Sequence, residues 1–557
     1  MSSQLIKHFG LVVFCSMVSL STVLAGQKTD SKPREFKAVG PTQPVKLQRS
    51  QFKGAIKVFF DLLPTSMSFD LPWNYCMVTQ NGIRFSTLAA ETYDPRDFGG
   101  TGGAASFEPG MDREGRYVRA WIEHQSDARI VVRIRYALAN NLYDIAFPDI
   151  PSGSPYGKGD WVDEWFYIYP DGVHTRHMKI YTGLAPVSRP FGFDREPPNV
   201  VHEFMELNVR GLPGHKPTDD IEIEALTLVR LLGSHSEDVI PGGISKKISY
   251  KPYPDGFGEF RDASIILLNL KSEYKPFTIG LPYGVRVQPY LPEDDLPHVF
   301  QTWGYSERRG YSSSIGHMLN FWHYRRTDNT LEQVYLHGMT NAADPVKQLV
   351  PLAWSWVVAP RLQMEGFKPD YRVYTYDIAQ KAYIVPRKGR GPVSLEFELE
   401  AEDDNEEEIE ELREDLEEIE EEIDSIRAGI HALREEISEA RQEGDGEAVE
   451  ALQKEMKDLQ KEMKELTEQA EEIEQRIEEE GEDDDDTDTT SWIINPAVIV
   501  KDWDEPGVEL KLDGKKIEQG KDFRVGYEQT PTGRDMIIWL KMKSDKTVTF
   551  SLSPANK

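Results

Sequence analysis

The chain of 557 residues carries 95 acidic and 64 basic residues, a formal net charge of -31 at pH 7, and two cysteines. Its length suits two or three domains, each with a real hydrophobic core, and excludes a small disulfide-stapled scaffold. The acidity is local: residues 401–490 hold 40 acidic and 9 basic residues and so account for the whole net charge. The rest is neutral, and nothing in it presents the basic surface of a nucleic-acid binder.

Residues 1–25 place Lys7 ahead of the apolar run Leu11–Leu24 and end in Val23-Leu24-Ala25, the pattern of a cleaved secretory signal peptide. The run is too short and too interrupted by serines for a membrane anchor, which needs roughly 20 apolar residues. Export to the periplasm or beyond is therefore expected, with no membrane-spanning segment after cleavage. Only Cys76 would remain, so no internal disulfide is available. Residues 26–50, polar and interrupted by Pro33, Pro41 and Pro44, read as a leader segment.

From 51 to 400 and from 491 to 557 the sequence consists of short alternating or apolar runs separated by Gly, Pro, Asn and Asp. That spacing predicts an all-β fold: a large antiparallel β-sandwich over 51–340, followed by a smaller β-sandwich over 341–557. In Tyr117–His124 and Arg129–Tyr136, alternation brings Arg119, Arg133 and Arg135 beside Trp121 if the polar faces of the two strands coincide. Planar guanidinium forks suit carboxylate or sulfate, so this surface could hold an anionic polysaccharide; a solvated strand face is the plainer reading.

The stretch GDWVDEWFYIYPDGVHTRHMKIY, Gly159 to Tyr181, reads as a β-hairpin about Pro170-Asp171-Gly172. Proline fixes the first turn position and glycine accepts positive φ. Pairing Tyr169 with Val173 puts Trp161, Asp163, Trp165 and Tyr167 on one face with Tyr181, Lys179, His177 and Thr175. The other face holds Val162, Glu164, Phe166 and Ile168 with Ile180, Met178, Arg176 and His174. An aromatic ladder set with hydrogen-bonding groups suits sugar rings, and equally suits cross-strand packing. Glu164 and Arg176 are either chemistry or a buried ion pair. Alternation alone leaves open which face is buried.

The segment Gly310–Arg326 gathers His317, His323 and Tyr324 with Asn320 and two arginines. A uronate lyase needs groups of these types to neutralise a sugar carboxylate and move protons beside it. Candidate catalytic residues are thus Asp163, Glu164, Arg176, His177, His317, His323 and Tyr324. Candidate substrate-binding residues are Trp161, Trp165, Tyr167, Arg119, Arg133 and Arg135. Glu123 and Glu206 are further carboxylates for two-acid hydrolysis, but Asp163 and Glu164 face opposite ways and cannot be such a pair. No nucleophile elbow, zinc motif or Walker loop is present, and the sequence names no metal or cofactor.

Within 401–490, apolar residues recur at spacings of three and four from Ile409 to Ile437 and again from Val449 to Ile477, on either side of Gly444-Asp445-Gly446. This predicts an antiparallel α-helical coiled-coil hairpin, with arms of roughly 40 Å, inserted between two strands of the second sandwich. Its glutamates read as a solvated face or as a docking arm for a protein partner.

The motifs D-W-x-D-E-W-x-x-x-Y-P-D-G at Asp160–Gly172, S-D-A-R-I-V-V-R-I-R-Y-A-L at Ser126–Leu138 and N-P-A-V-I-V-K-D-W at Asn495–Trp503 resemble a group of uncharacterised secreted bacterial β-sandwich proteins associated with polysaccharide degradation. The resemblance covers most of the chain except the helical hairpin and implies a carbohydrate-related role, with no activity or site residue to carry over. The expected function is a secreted lyase or hydrolase of an anionic polysaccharide. The alternative is a noncatalytic glycan-binding or envelope protein whose hairpin docks a partner.

Overall fold

The computed structural model describes residues 35–45, 55–70, 75–87, 90–93, 106–149, 151–183, 201–203, 205–232, 239–249, 263–282, 285–289, 301–302, 311–320, 325–327, 329–364, 375–386, 394–401, 404–443, 446–481, 491–531 and 533–555. The chain is mostly antiparallel β-structure, as its alternation predicts.

Two large sheets share one core. One runs in the order Lys37–Val39, Ile56–Phe59, Ser66–Phe69, Tyr75–Val78, Arg84–Thr87, Met205–Arg210, Ser312–Asn320 and Val285–Pro289. Lys37–Val39, expected in the leader, is its edge strand, and Phe36 stacks on Phe60 at 6.0 Å. The other sheet contains, in chain order, β1 (Arg119–Gln125), β2 (Ile130–Ala137), β3 (Trp161–Ile168), β4 (His174–Tyr181) and β5 (Thr330–Thr340). Its strands lie Val239–Ile248, Ile221–Leu232, Ile265–Leu270, Lys275–Ile279, β5, β4, β3, β2, β1. Phe69, Tyr75, Phe85 and Leu207 from the first sheet pack with Ile134, Val162, Phe166 and Ile180 from the second. Phe69 meets Phe166 edge to face at 5.1 Å, the geometry favoured by the ring quadrupoles.

Part of the second sheet's outer face is covered by a helix that strand-like spacing does not predict. α1 (Pro345–Val357) starts at Asp344, whose carboxylate accepts the Lys347 amide at 3.3 Å, with Pro345 at its first position. Its Leu349, Leu352, Trp354 and Trp356 pack on Val229, Ile265, Phe277 and Leu336. Pro351 lies inside the helix, and the two prolines conceal it in the sequence.

A second pair of sheets follows. Arg361–Gln363, Leu395–Glu400, Val548–Pro554, Val508–Leu512 and Lys515–Ile517 form one. Tyr376–Asp377, Ala382–Val385, Ala497–Val500, Gly533–Leu540 and Phe523–Thr530 form the other, which contains one parallel pair. They enclose Phe397, Trp503, Ile538 and Phe550. Between Leu395–Glu400 and Ile493–Ile494 the chain leaves as α2 (Asp404–Glu443) and returns as α3 (Gly446–Gly481), helices of 40 and 36 residues in contact with each other. Ile423, Ile426, Ile430, Leu433 and Ile437 are buried along α2. Among the described residues no helix is long and apolar enough to cross a membrane.

The second body holds the turn of the β3–β4 hairpin. Arg129 donates to Gln380 at 2.8 Å and to Glu528 at 2.6 Å; Asn495 donates to Asp171 at 2.7 Å; Arg524 grips Asp61 with bonds of 2.8 and 3.0 Å. Tyr169 and Thr175 donate their hydroxyls to the carbonyls of Gln380 and Ala379.

Candidate functional site

The β3–β4 register is the one the turn dictates, with Trp161 opposite Tyr181, Asp163 opposite Lys179 and Trp165 opposite His177. The turn closes through Gly172 donating to the Tyr169 carbonyl at 3.0 Å, with Gly172 at φ +78°. A side chain there would also meet the Leu63 Cδ1 methyl, 2.5 Å from an added Cβ, which would have to shift; the positive φ is what requires glycine.

The face carrying Glu164 and Arg176 is the buried one, and both side chains are fully enclosed. Arg176 donates Nε and Nη2 to the two Glu164 oxygens, each at 2.9 Å. Its Nη1 reaches across to the Thr87 carbonyl at 2.7 Å and hydroxyl at 2.9 Å, joining the two sheets. The Tyr136 hydroxyl donates to the same Glu164 carboxylate. These two candidates for catalysis therefore lie inside the core, where a polymer in solvent has no access.

Beside them His174 and His337 stack at 5.4 Å, both fully buried and each with an Nε2 that meets no hydrogen-bond partner. His174 Nδ1 binds the Gly172 carbonyl at 3.0 Å, and His337 Nδ1 pairs with the Thr278 hydroxyl at 2.9 Å. Burial outweighs the Gly172 contact and lowers the His174 pKa to about 4. Burial also holds His337 well below the ordinary value, helped by His174 and Arg176.

The opposite face gathers four of the six expected binding residues around Asp163. That carboxylate is fully buried and accepts from Arg133 Nη2 at 3.1 Å, from Arg135 Nε at 3.0 Å and from the Tyr156 hydroxyl. Arg133 lies 4.5 Å over Trp165 and 5.3 Å over Trp121, while Arg135 lies 3.6 Å over the Tyr156 ring. Tyr156 meets Trp161 and Tyr181 edge to face, each at 5.8 Å. Trp165 stacks on His177 at 5.3 Å, and Glu332 of β5 accepts from His177 at 2.8 Å and Lys179 at 3.0 Å. Burial alone would raise the Glu332 pKa, but the bonds from His177 and Lys179 prevail and bring it down to about 2.

The remaining candidates are elsewhere. Arg119 sits opposite Arg135 and turns its Nη1 to the Val118 carbonyl at 2.7 Å. Tyr167 lies at the junction with the second body, 5.5 Å beneath Arg129. His317 belongs to the other large sheet, opposite Glu206 and Gln288. His323 and Tyr324 lie outside the described residues.

Sequence reasoning missed the loops between β2 and β3. Ala139 bridges to Ile145, and the Asn140 side-chain oxygen accepts the amides of Leu142 at 2.9 Å and Asp144 at 3.0 Å. Tyr143 and Phe147 adopt φ values of 70° and 51°, uncommon for such residues. The Tyr117 hydroxyl holds the Tyr143 carbonyl at 2.9 Å, and Arg116 lies 3.7 Å over the Tyr143 ring. Gly159, at φ +77°, packs where an added Cβ would come within 2.6 Å of the Ala146 carbonyl. Together these loops bound an open cleft of about 540 Å³, lined by Phe107, Asn140, Tyr143, Asp144, Ile145, Phe147, Pro148, Gly157, Lys158 and Trp161. Asn140-Asn141 and the pair Gly157 and Gly159 are the sequence signals that mark it.

Also missed is a His–Asp pair between Met205–Arg210 and Ile221–Leu232. His215 Nδ1 meets Asp220 Oδ1 at 2.7 Å; the carboxylate is buried while the imidazole side chain is 42% exposed. The hydrogen bond from His215 to the Asp220 carboxylate raises the His215 pKa. Among the described residues no group of three or more His, Cys, Asp or Glu is placed to hold a metal ion. Comparison with known proteins finds no matching family model and no matching curated protein.

Proposed function

We propose that this is a secreted or periplasmic carbohydrate-active protein, two β-sandwiches with a coiled-coil hairpin inserted in the second, whose outer β2–β3–β4 face binds an anionic polysaccharide. The observation that carries the reading is the setting of Arg135. Its guanidinium carbon lies 3.6 Å from the centre of the Tyr156 ring, and the group is steered by Asp163 through Nε alone, leaving both Nη groups without a partner among the described residues. A planar fork fixed in this way is preorganised for a carboxylate or sulfate, and the neighbouring rings of Trp161, Tyr156 and Tyr181 offer apolar faces to the sugars that carry it.

Binding without bond cleavage is favoured by the state of the face's acids. Asp163 is held by two arginines and a tyrosine, and Glu332 by His177 and Lys179. A general base or nucleophile must meet substrate, whereas these carboxylates neutralise their neighbours. The enzyme reading, a lyase or hydrolase, has one observation in its favour: the His215 imidazole, exposed and backed by buried Asp220, has the arrangement of an acid–base residue. On that reading His317, His323 and Tyr324 remain proposed catalytic groups. For the coiled-coil hairpin, a docking arm for a protein partner is supported by its length and by its excess of acids, 40 against 9 bases over 401–490.

The test is affinity electrophoresis and calorimetry of the mature chain with carboxylated, sulfated and neutral polysaccharides, with ultraviolet absorbance and reducing ends followed in parallel. Wild type is expected to bind anionic polymers, and Arg135→Ala to weaken binding about tenfold or more through loss of charge-assisted bonds. Arg135→Lys restores charge without the fork and should recover only part. Equal binding by wild type and Arg135→Ala, or none by wild type, overturns the reading; new unsaturated products or reducing ends would move it to an enzyme.

A further inference from the structure

The cleft bounded by the β2–β3 loops is connected to Arg135 through two rings, Trp161 and Tyr156. Its walls are mainly apolar, and it has two unengaged charges of opposite sign. Asp144 and Lys158 are both exposed, and neither side chain has a hydrogen bond or ion pair among the described residues. Trp161 belongs to both places: it lines the cleft, and it packs on the Tyr156 that carries Arg135. Its indole N–H donates to the Lys158 carbonyl at 3.2 Å, which ties the ring to the loop that supplies the ammonium.

The backbone gives a second reason to regard the cleft as built. Tyr143 and Phe147 line it in left-handed conformations that side chains of their size seldom adopt, and Leu142, next to Tyr143 in the chain, is 67% exposed. Such conformations persist only where surrounding structure imposes them; here the Asn140 side chain, the Tyr117 hydroxyl and the Gly159 approach do so. A cleft of about 540 Å³ lies within the range of small-molecule sites.

We infer that this cleft is a second acidic-sugar subsite, continuous with the Arg135 face, so that one anionic oligosaccharide runs from the fork across Trp161 into the cleft. Lys158 meets a carboxylate or sulfate on a sugar beyond the one held by Arg135, Asp144 accepts from sugar hydroxyls, and Trp161 stacks under the residue between them. The ligand class is a polymer with acidic groups on more than one residue, recognised at two points; a single acidic sugar satisfies only one. This inference rests on the binding face proposed above.

Oligogalacturonides of two to eight residues, with a sulfated series of the same lengths beside them, are titrated calorimetrically into the full chain. Wild-type affinity is expected to climb with length once an oligomer spans both points, and comparison of the series separates carboxylate from sulfate recognition. Lys158→Ala should remove the climb, lowering long-oligomer affinity about tenfold while leaving the shortest ligands and the melting temperature unchanged. Leu142→Asp, an exposed position between Asn141 and the cleft-lining Tyr143, should weaken the same long ligands by adding a like charge to that loop. If Arg135→Ala weakens binding but Lys158→Ala and Leu142→Asp match wild type at every length, the cleft inference is overturned and the face stands. If wild type binds neither series, the face reading fails and the cleft with it.

Discussion

Replacing Arg176 by methionine strands the Glu164 carboxylate between two sheets with the Tyr136 hydroxyl as its remaining described donor. Arg176 supplies four hydrogen bonds there, two to Glu164 and two to Thr87, with both charges fully buried. Removing one partner of such a pair costs about 3–5 kcal/mol, chiefly because the other charge stays buried alone. At about 2–4 °C per kcal/mol for a large body, the melting temperature should fall by about 6–20 °C. The double variant Glu164→Leu, Arg176→Met removes both charges and leaves only the Thr87 and Tyr136 groups to re-pair. It should therefore recover about 2–4 kcal/mol relative to the sum of the single variants. Urea unfolding of wild type, both singles and the double closes the cycle. A loss below about 1 kcal/mol for Arg176→Met, or strict additivity, would refute the assignment of this pair to the core. Glycan binding well below the melting temperature should survive, because the pair faces away from Asp163 and its arginines; loss of binding without loss of stability would return Arg176 to the site.

Acid should weaken the fold in two separable windows. His174 has its pKa lowered to about 4 in the folded chain against 6.5 free, so as pH falls from 6.5 to 4 the unfolded chain binds a proton that the folded one refuses. That drains roughly 3 kcal/mol; His337, also held well below its ordinary value by burial, adds to the same window, so His174→Gln should reduce the slope there and only the double variant His174→Gln, His337→Gln should flatten it. Glu332, lowered to about 2 from 4.5, contributes stability that is present above pH 4.5 and lost as pH falls towards 2; Glu332→Gln should flatten only that lower window. At Tyr143, with φ at 70°, substitution by glycine should relieve about 1 kcal/mol of backbone strain while removing a wall of the cleft. Melting temperature should rise as long-oligomer affinity falls; a fall in both would show that the ring's contact with Arg116 outweighs the strain.

How much of this was legible in the sequence depends on the kind of signal. The β3–β4 register followed from Pro170-Asp171-Gly172 because a turn with one permitted conformation leaves no freedom in pairing. The helical hairpin followed from two apolar repeats of equal length about Gly444 to Gly446. Which face of β3–β4 is buried did not follow. The face with Glu164, Arg176 and His174 is the core, where it also carries Val162, Phe166, Ile168, Met178 and Ile180, and the rings of Trp161, Trp165 and Tyr167 lie on the outer face. Residue types cannot show that Glu164 and Arg176 complete each other, since Thr87 and Tyr136, which finish the network, lie tens of residues away. The cleft was hidden for a related reason. Its loops carry ordinary turn residues, and nothing in the letters Tyr143 or Phe147 announces a positive φ.

The division of one sheet's outer surface explains where a site can exist at all. α1 covers the strands from Ile221 to Ile279 and much of β5, while the second body takes the hairpin turn through Tyr169, Thr175 and Arg129. What remains is the far end of β2, β3 and β4, where Asp163, Arg133, Arg135, His177, Lys179 and Glu332 lie among aromatic rings. A sheet face with no covering layer ordinarily becomes polar throughout or recruits a partner. This one does neither: it keeps its tryptophans and stiffens them with charges that neutralise one another, so the rings stay half-exposed in fixed positions. Rigid aromatic faces at low entropic cost are what sugar stacking demands, and on the proposed reading the Arg135 Nη groups, without a partner among the described residues, would direct that surface to an anion.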